Sequence, residues 1–166
     1  MNFRIFALVA VLVGGCGSDS GGGASLDVTG VYSGPVTNGA NSCPGVWNTG
    51  AMNNAMATVA QMGASVSIQV QGAAGLLLFA GFGTNSFSGS VIGSHIEATI
   101  IGSVTATRGG CMYTSNGNLA ADLSADTLTG TITYTPQTNN HADCATMGVT
   151  GCSSQQTFTL NRPPSR

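Results

Sequence analysis

The stretch Ser65–Gln71, SVSIQVQ, alternates polar and apolar residues along its whole length. Successive side chains of a β-strand point to opposite faces, so the alternation predicts a strand with one apolar and one polar face. Thr127–Thr135, TLTGTITYT, and Thr157–Asn161, TFTLN, repeat the pattern. Such strands are typical of an antiparallel sheet that has a core on one side and water on the other.

Seven further segments are predicted as strands, and short turns separate most of them. They are Val28–Gly34, Met56–Gln61, Leu76–Phe82, Ser86–Ile92, His95–Thr107, Cys111–Ser115 and Asn118–Leu123. Gly93-Ser94 and Asn116-Gly117 each predict a two-residue hairpin turn. No segment has the pattern of a long amphipathic helix. We therefore expect an all-β fold, an antiparallel meander barrel of about eight to ten strands, because closure removes exposed sheet edges.

The N-terminus has the pattern of an export signal. Arg4 precedes the apolar run Ile5–Val13, which is too short to cross a bilayer core that requires about 20 helical residues. The run ends in Leu12–Cys16, LVGGC, which resembles the lipobox of bacterial lipoproteins. The resemblance implies cleavage before Cys16 and a lipid on its sulfur. An ordinary secretory signal that happens to contain a cysteine is the alternative.

The lipobox divides the chain into a signal peptide at 1–15, a lipidated cysteine with a Gly/Ser tether at 16–26, a barrel at 27–162 and a tail at 163–166. The resemblance implies a cell-envelope protein held to a membrane through lipid on Cys16. Gly17 follows that cysteine, where an aspartate would retain an enteric lipoprotein in the inner membrane. The outer membrane is therefore favoured.

The composition argues against a nucleic-acid partner. Only 6% of the residues are charged, against about 25% in an average soluble domain. The chain contains no lysine, and its four arginines are outnumbered by six acidic residues. Affinity for phosphate backbones comes mostly from lysine and arginine, so no basic surface is expected. The 42% of hydrophobic residues, combined with little charge, also argue against a disordered domain.

The cysteines predict two disulfides. Apart from Cys16 there are four, Cys43, Cys111, Cys144 and Cys152, and an even number in an exported chain favours disulfides. A structural zinc site is a poorer interpretation, because the chain has no C-x-x-C. We expect Cys144 to pair with Cys152 across a short loop, which leaves Cys43 for Cys111.

The strand count bears on this pairing. If all ten segments are separate up-and-down strands, Cys43 and Cys111 lie at opposite ends of the barrel and cannot pair. If one early segment is not a strand, the two cysteines share an end, but the first and last strands no longer close antiparallel. The sequence leaves these two possibilities open.

Thr29–Tyr32, TGVY, resembles the Gly-x-Trp of the first strand in lipocalins and their calycin relatives, with tyrosine in place of tryptophan. In those barrels a late arginine packs across the aromatic ring, which implies that Arg162 packs on Tyr32 and closes the barrel. An ordinary first-strand aromatic and an exposed arginine are the alternative.

Few residues suggest catalysis. His95 and Glu97 share the polar face of a strand, and His141 and Asp143 lie in a long connection, but both pairs are interpreted as solvated side chains. The chain has two histidines, one glutamate and no lysine. It lacks the G-x-S-x-G, P-loop and H-E-x-x-H motifs. We therefore expect no enzymatic activity, no cofactor and no metal site.

Two long connections are the candidate interaction loops: Pro35–Ala55, which carries Trp47, and Pro136–Ser154. The favoured function is interaction with a protein partner or display. The alternative is a lipocalin-like carrier of a small apolar ligand; an inhibitor of exported hydrolases and an enzyme rank lower. Small inward residues suit either a cavity or a packed interior. A ligand cavity would be lined by residues such as Val66, Ile68, Leu78, Phe87 and Ile132.

Overall fold

Eight antiparallel strands close into a barrel in the computed structural model, which describes residues 26–163. The elements in chain order are β1 (Gly30–Asn41), β2 (Met52–Met62), β3 (Ser65–Gln71), α1 (Gly72–Phe82), β4 (Ser86–Ile92), β5 (His95–Ile101), β6 (Ala106–Arg108), β7 (Cys111–Ser124), β8 (Thr127–Thr138), α2 (Ala142–Thr146) and β9 (Ser154–Asn161). β5 pairs with β7, and β9 returns to pair with β1. The short β6 pairs only with the start of β7. The expected antiparallel meander barrel is thus confirmed, with a lipocalin-like architecture.

Alternation along the strands separates the interior from the surface. In β3, Val66 and Ile68 are each 3% exposed, whereas Ser65, Ser67 and Gln69 face water. Side chains from all eight barrel strands and from α1 form one apolar cluster that fills the interior. Removing this apolar surface from water is the main force that favours the closed barrel. Its largest members include Tyr32, Phe87 and Phe158.

The two ends of the barrel differ. One end, here the turn end, has the tight turns at 63–64, 93–94 and 125–126, together with the beginning of β1 and the end of β9. The opposite end, here the loop end, carries both helices and the connections 42–51 and 139–153. These connections are shorter than predicted, because β1 extends to Asn41 and β8 extends to Thr138.

The predicted strand Leu76–Phe82 is wrong, because this segment is most of helix α1. The sequence GAAGLLLFAGF contains no β-branched residue and is rich in alanine and leucine, which favour helix. Gly83 ends the helix in the left-handed conformation at φ 78° and donates its N–H to the Phe79 carbonyl. No helix in the described part of the chain is long and apolar enough to cross a membrane.

The predicted hairpin at Asn116-Gly117 is also wrong, because both residues lie inside the continuous strand β7. A Cβ added at Gly117 would lie 2.7 Å from Ile100 Cγ2 and 3.0 Å from Tyr134 Cδ1. Gly117 therefore allows the side chains of β5 and β8 to pack closely across β7, and it makes no turn. The segments predicted on either side of it, Cys111–Ser115 and Asn118–Leu123, are one strand.

Three of the sequence predictions fall outside residues 26–163 in whole or in part. The signal peptide and Cys16 precede the described region, as does all of the tether except its last residue, Leu26. Only Pro163 of the predicted tail is described. Lipidation at Cys16 therefore stays a prediction.

Candidate functional site at the loop end

Two disulfides join the chain at the loop end. Cys43 bonds to Cys152, and Cys111 bonds to Cys144. The four cysteines are thus paired as two disulfides, as expected, but the predicted partners, Cys144 with Cys152 and Cys43 with Cys111, are wrong. Because α1 is not a strand and β7 is a single strand, the barrel retains an even number of strands. All four cysteines consequently fall at the same end.

The register of the barrel explains which cysteines meet. Asn41 in β1 lies opposite Ser154 in β9, so Cys43 and Cys152 emerge side by side just beyond this pair, with their Cα atoms 4.8 Å apart. Ser42 N donates to the Ser153 carbonyl at 2.9 Å and prolongs the pairing. The other disulfide holds α2 against the first residue of β7, again with 4.8 Å between Cα atoms.

An open cavity of about 150 Å³ lies next to the disulfides. Its walls combine aromatic rings, prolines and hydroxyls with the sulfurs of one disulfide. They are formed by Cys43, Pro44, Tyr113, Ser115, Tyr134, Thr135, Pro136, Val149, Cys152 and Ser154. Drug-sized ligands usually occupy pockets of about 300–1,000 Å³, so this cavity suits a single side chain or a molecule of similar size.

A chain of hydrogen bonds underlies the cavity and fixes Tyr134. Its hydroxyl donates to Gln156 Oε1 at 2.8 Å, and Gln156 Nε2 donates to Asn38 Oδ1 at 2.8 Å. Burial raises the pKa of Tyr134, so the phenol stays protonated as a donor at physiological pH. The Tyr134 ring also packs on Phe82 of α1, with 5.5 Å between ring centroids. The signal at Tyr134 in the sequence was its place in the alternating stretch Thr127–Thr135.

Trp47 lies in the connection 42–51, as predicted for a loop residue. Its side chain is half-buried, and Nε1 donates to the Gly39 carbonyl at 3.0 Å, which ties the loop back to β1. The neighbouring Val46 is 96% exposed. The loop is therefore held in place while it presents an apolar side chain to water.

Most large apolar side chains on the surface cluster at the loop end. Those at the loop end are Val46, Met52, Leu76, Leu77, Phe79, Ile101, Val104, Met112 and Met147. The charged side chains of residues 26–163 show the opposite bias. Asp27, Glu97, Asp122, Asp126 and Arg162 lie toward the turn end, and Arg108 and Asp143 lie at the loop end. Exposed apolar clusters of this kind mark interaction surfaces.

The predicted contact between Tyr32 and Arg162 is present at the turn end. The Arg162 Cζ atom lies 5.6 Å from the centre of the buried Tyr32 ring. Arg162 Nε donates to Asp126 Oδ1 at 2.9 Å, and Nη1 donates to the Thr29 carbonyl at 2.8 Å. Burial raises the pKa of Tyr32, whose hydroxyl donates to the Val28 carbonyl at 2.9 Å. The pair closes the turn end of the barrel and lies away from the loop-end cavity.

His95 has acidic neighbours on the outer face of the barrel. Its Nδ1 lies 2.9 Å from Asp122 Oδ1, and its Nε2 lies 3.7 Å from Glu97 Oε1. The hydrogen bond to Asp122 raises the pKa of His95. The predicted neighbours His95 and Glu97 are thus brought together, with Asp122 as an additional and closer partner from β7.

Asp143, the other acidic candidate, and Asp126 have structural partners. Asp143 Oδ2 accepts the Gly110 N–H at 2.7 Å, and His141 caps α2 by accepting the Asp143 N–H at 3.2 Å. Asp126 holds Arg162. Within the described residues, no group of three or more histidine, cysteine or acidic side chains is arranged to hold a metal ion.

The residues predicted to line a ligand cavity all belong to the packed core. They are Val66, Ile68, Leu78, Phe87 and Ile132. The exposed side chains of α1 were not predicted, although the segment is apolar and lacks β-branched residues. Comparisons with protein-family models, curated proteins and solved structures find no match to this chain.

Proposed function

We propose that this protein is a lipid-anchored component of the cell envelope whose barrel is a rigid, non-catalytic scaffold that presents its loop end for interaction. The observation that carries the proposal is the concentration of exposed apolar side chains at the same end as the two disulfides. Surface apolar side chains exposed singly are ordinary, but a cluster at one end favours a binding surface.

The disulfides make the loop end suitable for binding. A binding loop that is already ordered loses little conformational entropy when a partner docks, so more of the contact energy appears as affinity. The bond from Cys43 to Cys152 fixes the base of the loop that presents Val46, and the Trp47 indole fixes its middle. The loops thus behave as a preorganised surface.

The anchor is inferred from the sequence. The lipobox Leu12–Cys16 and the following Gly/Ser tether are typical of lipoproteins, with the outer membrane favoured because Gly17 follows the cysteine. Two disulfides in a chain of this length suit an oxidising compartment outside the cytoplasm.

The filled interior favours interaction over carriage of an apolar ligand. Phe87 and Phe158 belong to one buried cluster inside the barrel, and Leu78 and Phe82 of α1 join that cluster from the loop end, where a carrier would take up its ligand. The cavity of about 150 Å³ at the loop end has a size that suits a protruding side chain of a protein partner.

Mass spectrometry tests the anchor and the prediction that the barrel carries no small-molecule ligand. The full chain, expressed in a bacterial host and purified in detergent, should begin at Cys16 and carry diacylglycerol. Before reduction it should be lighter by the four hydrogens that two disulfides remove. Native spectra should show no further bound mass. A reproducible small-molecule mass that is lost on denaturation would overturn the interaction proposal in favour of a carrier.

Photo-crosslinking tests the loop end. A photoreactive residue placed at Val46, which is 96% exposed, should crosslink to an envelope protein in living cells. Met62 is 86% exposed at the turn end and provides a matched control that should give no such adduct. Equal adducts at both positions would contradict a binding surface confined to the loop end.

A further inference from the structure

Helix α1 exposes an uninterrupted apolar surface at the loop end. Its eleven residues, GAAGLLLFAGF, include no polar or charged side chain. Leu78 and Phe82 point into the barrel, whereas Leu76, Leu77 and Phe79 are 72%, 74% and 60% exposed. A helix that is apolar on every side is normally enclosed, either by a protein core or by lipid. The outer face of α1 therefore requires a covering that residues 26–163 do not provide.

The surroundings of α1 extend this apolar surface. Ile101 and Val104, 65% and 40% exposed, flank the C-terminal end of the helix, where Ser103 N donates to the Phe82 carbonyl. Met56, 41% exposed, lies opposite Gln71, the residue before the helix. None of these side chains is charged, so an apolar environment can cover them without desolvating an ion.

We infer that the outer face of α1 docks into the surface of the same bilayer that holds the lipid anchor. This inference rests on the proposed lipidation of Cys16. The helix is backed by the barrel through Leu78 and Phe82, so only its outer side chains would enter the lipid. Eleven helical residues extend about 16 Å, which suits a helix lying along the membrane surface.

The tether is long enough for this contact. The ten residues 17–26 reach about 33 Å when extended. They join the barrel at the turn end, where Leu26 N donates to the Gly93 carbonyl at 3.0 Å. From that end, the seven-residue strands β3 and β4 extend about 23 Å to α1. The anchor and α1 can therefore reach one bilayer.

The size of the surface favours lipid over a second copy of the chain. The exposed parts of Leu76, Leu77 and Phe79 amount to roughly 400 Å², and Ile101, Val104 and Met56 add roughly 300 Å², so the surface stays below the roughly 800 Å² per partner of a standard protein interface. A membrane contact needs less, because the tether keeps the barrel at a high local concentration next to the bilayer. Weak burial of three side chains is then sufficient to orient the barrel.

Fluorescence quenching by brominated lipid tests the docking. Trp47 is the single tryptophan, so Trp47→Phe provides a silent background for one reporter at a time. The full lipidated chain is reconstituted into phosphatidylcholine vesicles with Phe79→Trp in α1 or with Ile92→Trp at the turn end. Ile92 is 78% exposed and serves as the matched control. Brominated acyl chains should quench the Phe79→Trp reporter by about half, with a blue-shifted spectrum, and leave the Ile92→Trp reporter nearly unchanged.

Other outcomes would overturn the inference. A Phe79→Trp spectrum that is neither shifted nor quenched would show that α1 stays in water. A blue shift without quenching, together with a doubled mass in crosslinking, would show that a second copy covers the helix. Adding Leu76→Asn and Leu77→Asn to the reporter should abolish the quenching while the circular dichroism spectrum stays unchanged.

The same samples separate this inference from the proposed anchor. The intact mass reports lipid on Cys16 independently of the fluorescence. If the lipid is missing, the proposed anchoring is wrong, and the Phe79→Trp reporter is then measured with added vesicles. Quenching under that condition would support an intrinsic affinity of α1 for lipid. Its absence would overturn the docking as well.

Discussion

The guanidinium of Arg162 covers the ring of Tyr32, with 5.6 Å between Cζ and the ring centroid, at the point where the first and last strands of the barrel meet. The ring is buried, and the arginine is held from its other side by Asp126. The contact therefore combines a cation–π interaction with hydrogen bonds that join the two ends of the barrel chain.

Loss of this contact should destabilise the barrel. Arg162→Ala removes the cation–π interaction, worth about 0.5–2 kcal/mol, and leaves the Thr29 carbonyl without its donor, so we expect a total loss of about 1–3 kcal/mol. Urea denaturation measures the difference. The control Arg108→Gln changes an exposed arginine and should stay within about 0.5 kcal/mol of the parent. Equal values for both variants would contradict a role in closure.

The disulfide connectivity is directly testable. Peptide mapping without reduction should recover Cys43 linked to Cys152 and Cys111 linked to Cys144. In the chain-entropy model, the disulfide that closes the 109-residue loop stabilises the fold by about 5 kcal/mol, and the one that closes the 33-residue loop by about 4 kcal/mol. Replacing Cys43 and Cys152 by alanine should therefore lower the free energy of unfolding more than replacing Cys111 and Cys144. A peptide that joins Cys144 to Cys152 would contradict the structure.

Two glycines should respond to alanine in opposite directions. Gly117→Ala places a methyl group 2.7 Å from Ile100 Cγ2 and 3.0 Å from the Tyr134 ring, so we expect a loss of about 1–3 kcal/mol. Gly81→Ala in α1 meets no atom within 4 Å and should gain about 0.5–1 kcal/mol from helix propensity. Thermal denaturation of the pair measures both effects. A neutral Gly117→Ala would show that the barrel wall is less tightly packed there.

The His95 pKa should depend on Asp122. The hydrogen bond to Asp122 raises the His95 pKa in the folded chain above its ordinary value of 6.5. The resulting stabilisation is fully present below about pH 6.5 and is lost as the pH rises through the raised folded pKa. The effect on stability should be small, because both side chains are largely exposed and solvent screens them.

Nuclear magnetic resonance titration of the imidazole measures that shift. Asp122→Asn should return the His95 pKa most of the way to its ordinary value, whereas Glu97→Gln should have a smaller effect, because the Glu97 carboxylate is 3.7 Å away. An unchanged His95 pKa in Asp122→Asn would refute the assignment of the shift to this hydrogen bond.

The local pattern predicted most strands because their two faces differ. Ser65–Gln71 lies between core and water, so its alternation is visible in the sequence. Leu76–Phe82 lacks that contrast, since both faces of α1 are apolar, and a short apolar run does not distinguish strand from helix. Asn116-Gly117 was wrongly predicted as a turn for another reason. A glycine is needed at 117 because Ile100 and Tyr134, which are distant in sequence, pack closely against it.

The wrong disulfide partners came from the choice of the short loop between Cys144 and Cys152, which left Cys43 for Cys111. The two local errors each added one strand, so the ten-strand order placed Cys111 at the end opposite Cys43, whereas all four cysteines share one end in the structure. The partners depend on the register of β1 against β9, a long-range property without a local signal. The Tyr32 and Arg162 contact was predictable because a family resemblance supplied the long-range information.

The disulfide between Cys43 and Cys152 also has a mechanical consequence. If a partner at the loop end pulls the barrel away from its tether, the load enters at Leu26 and runs along β1, so that the hydrogen bonds of β1 to β2 and β9 are sheared together. If these bonds give way, the chain is stretched only as far as Cys43, where the covalent bond transfers the force to Cys152, just before β9. The bond thus limits how far an anchored barrel can be drawn out by tension.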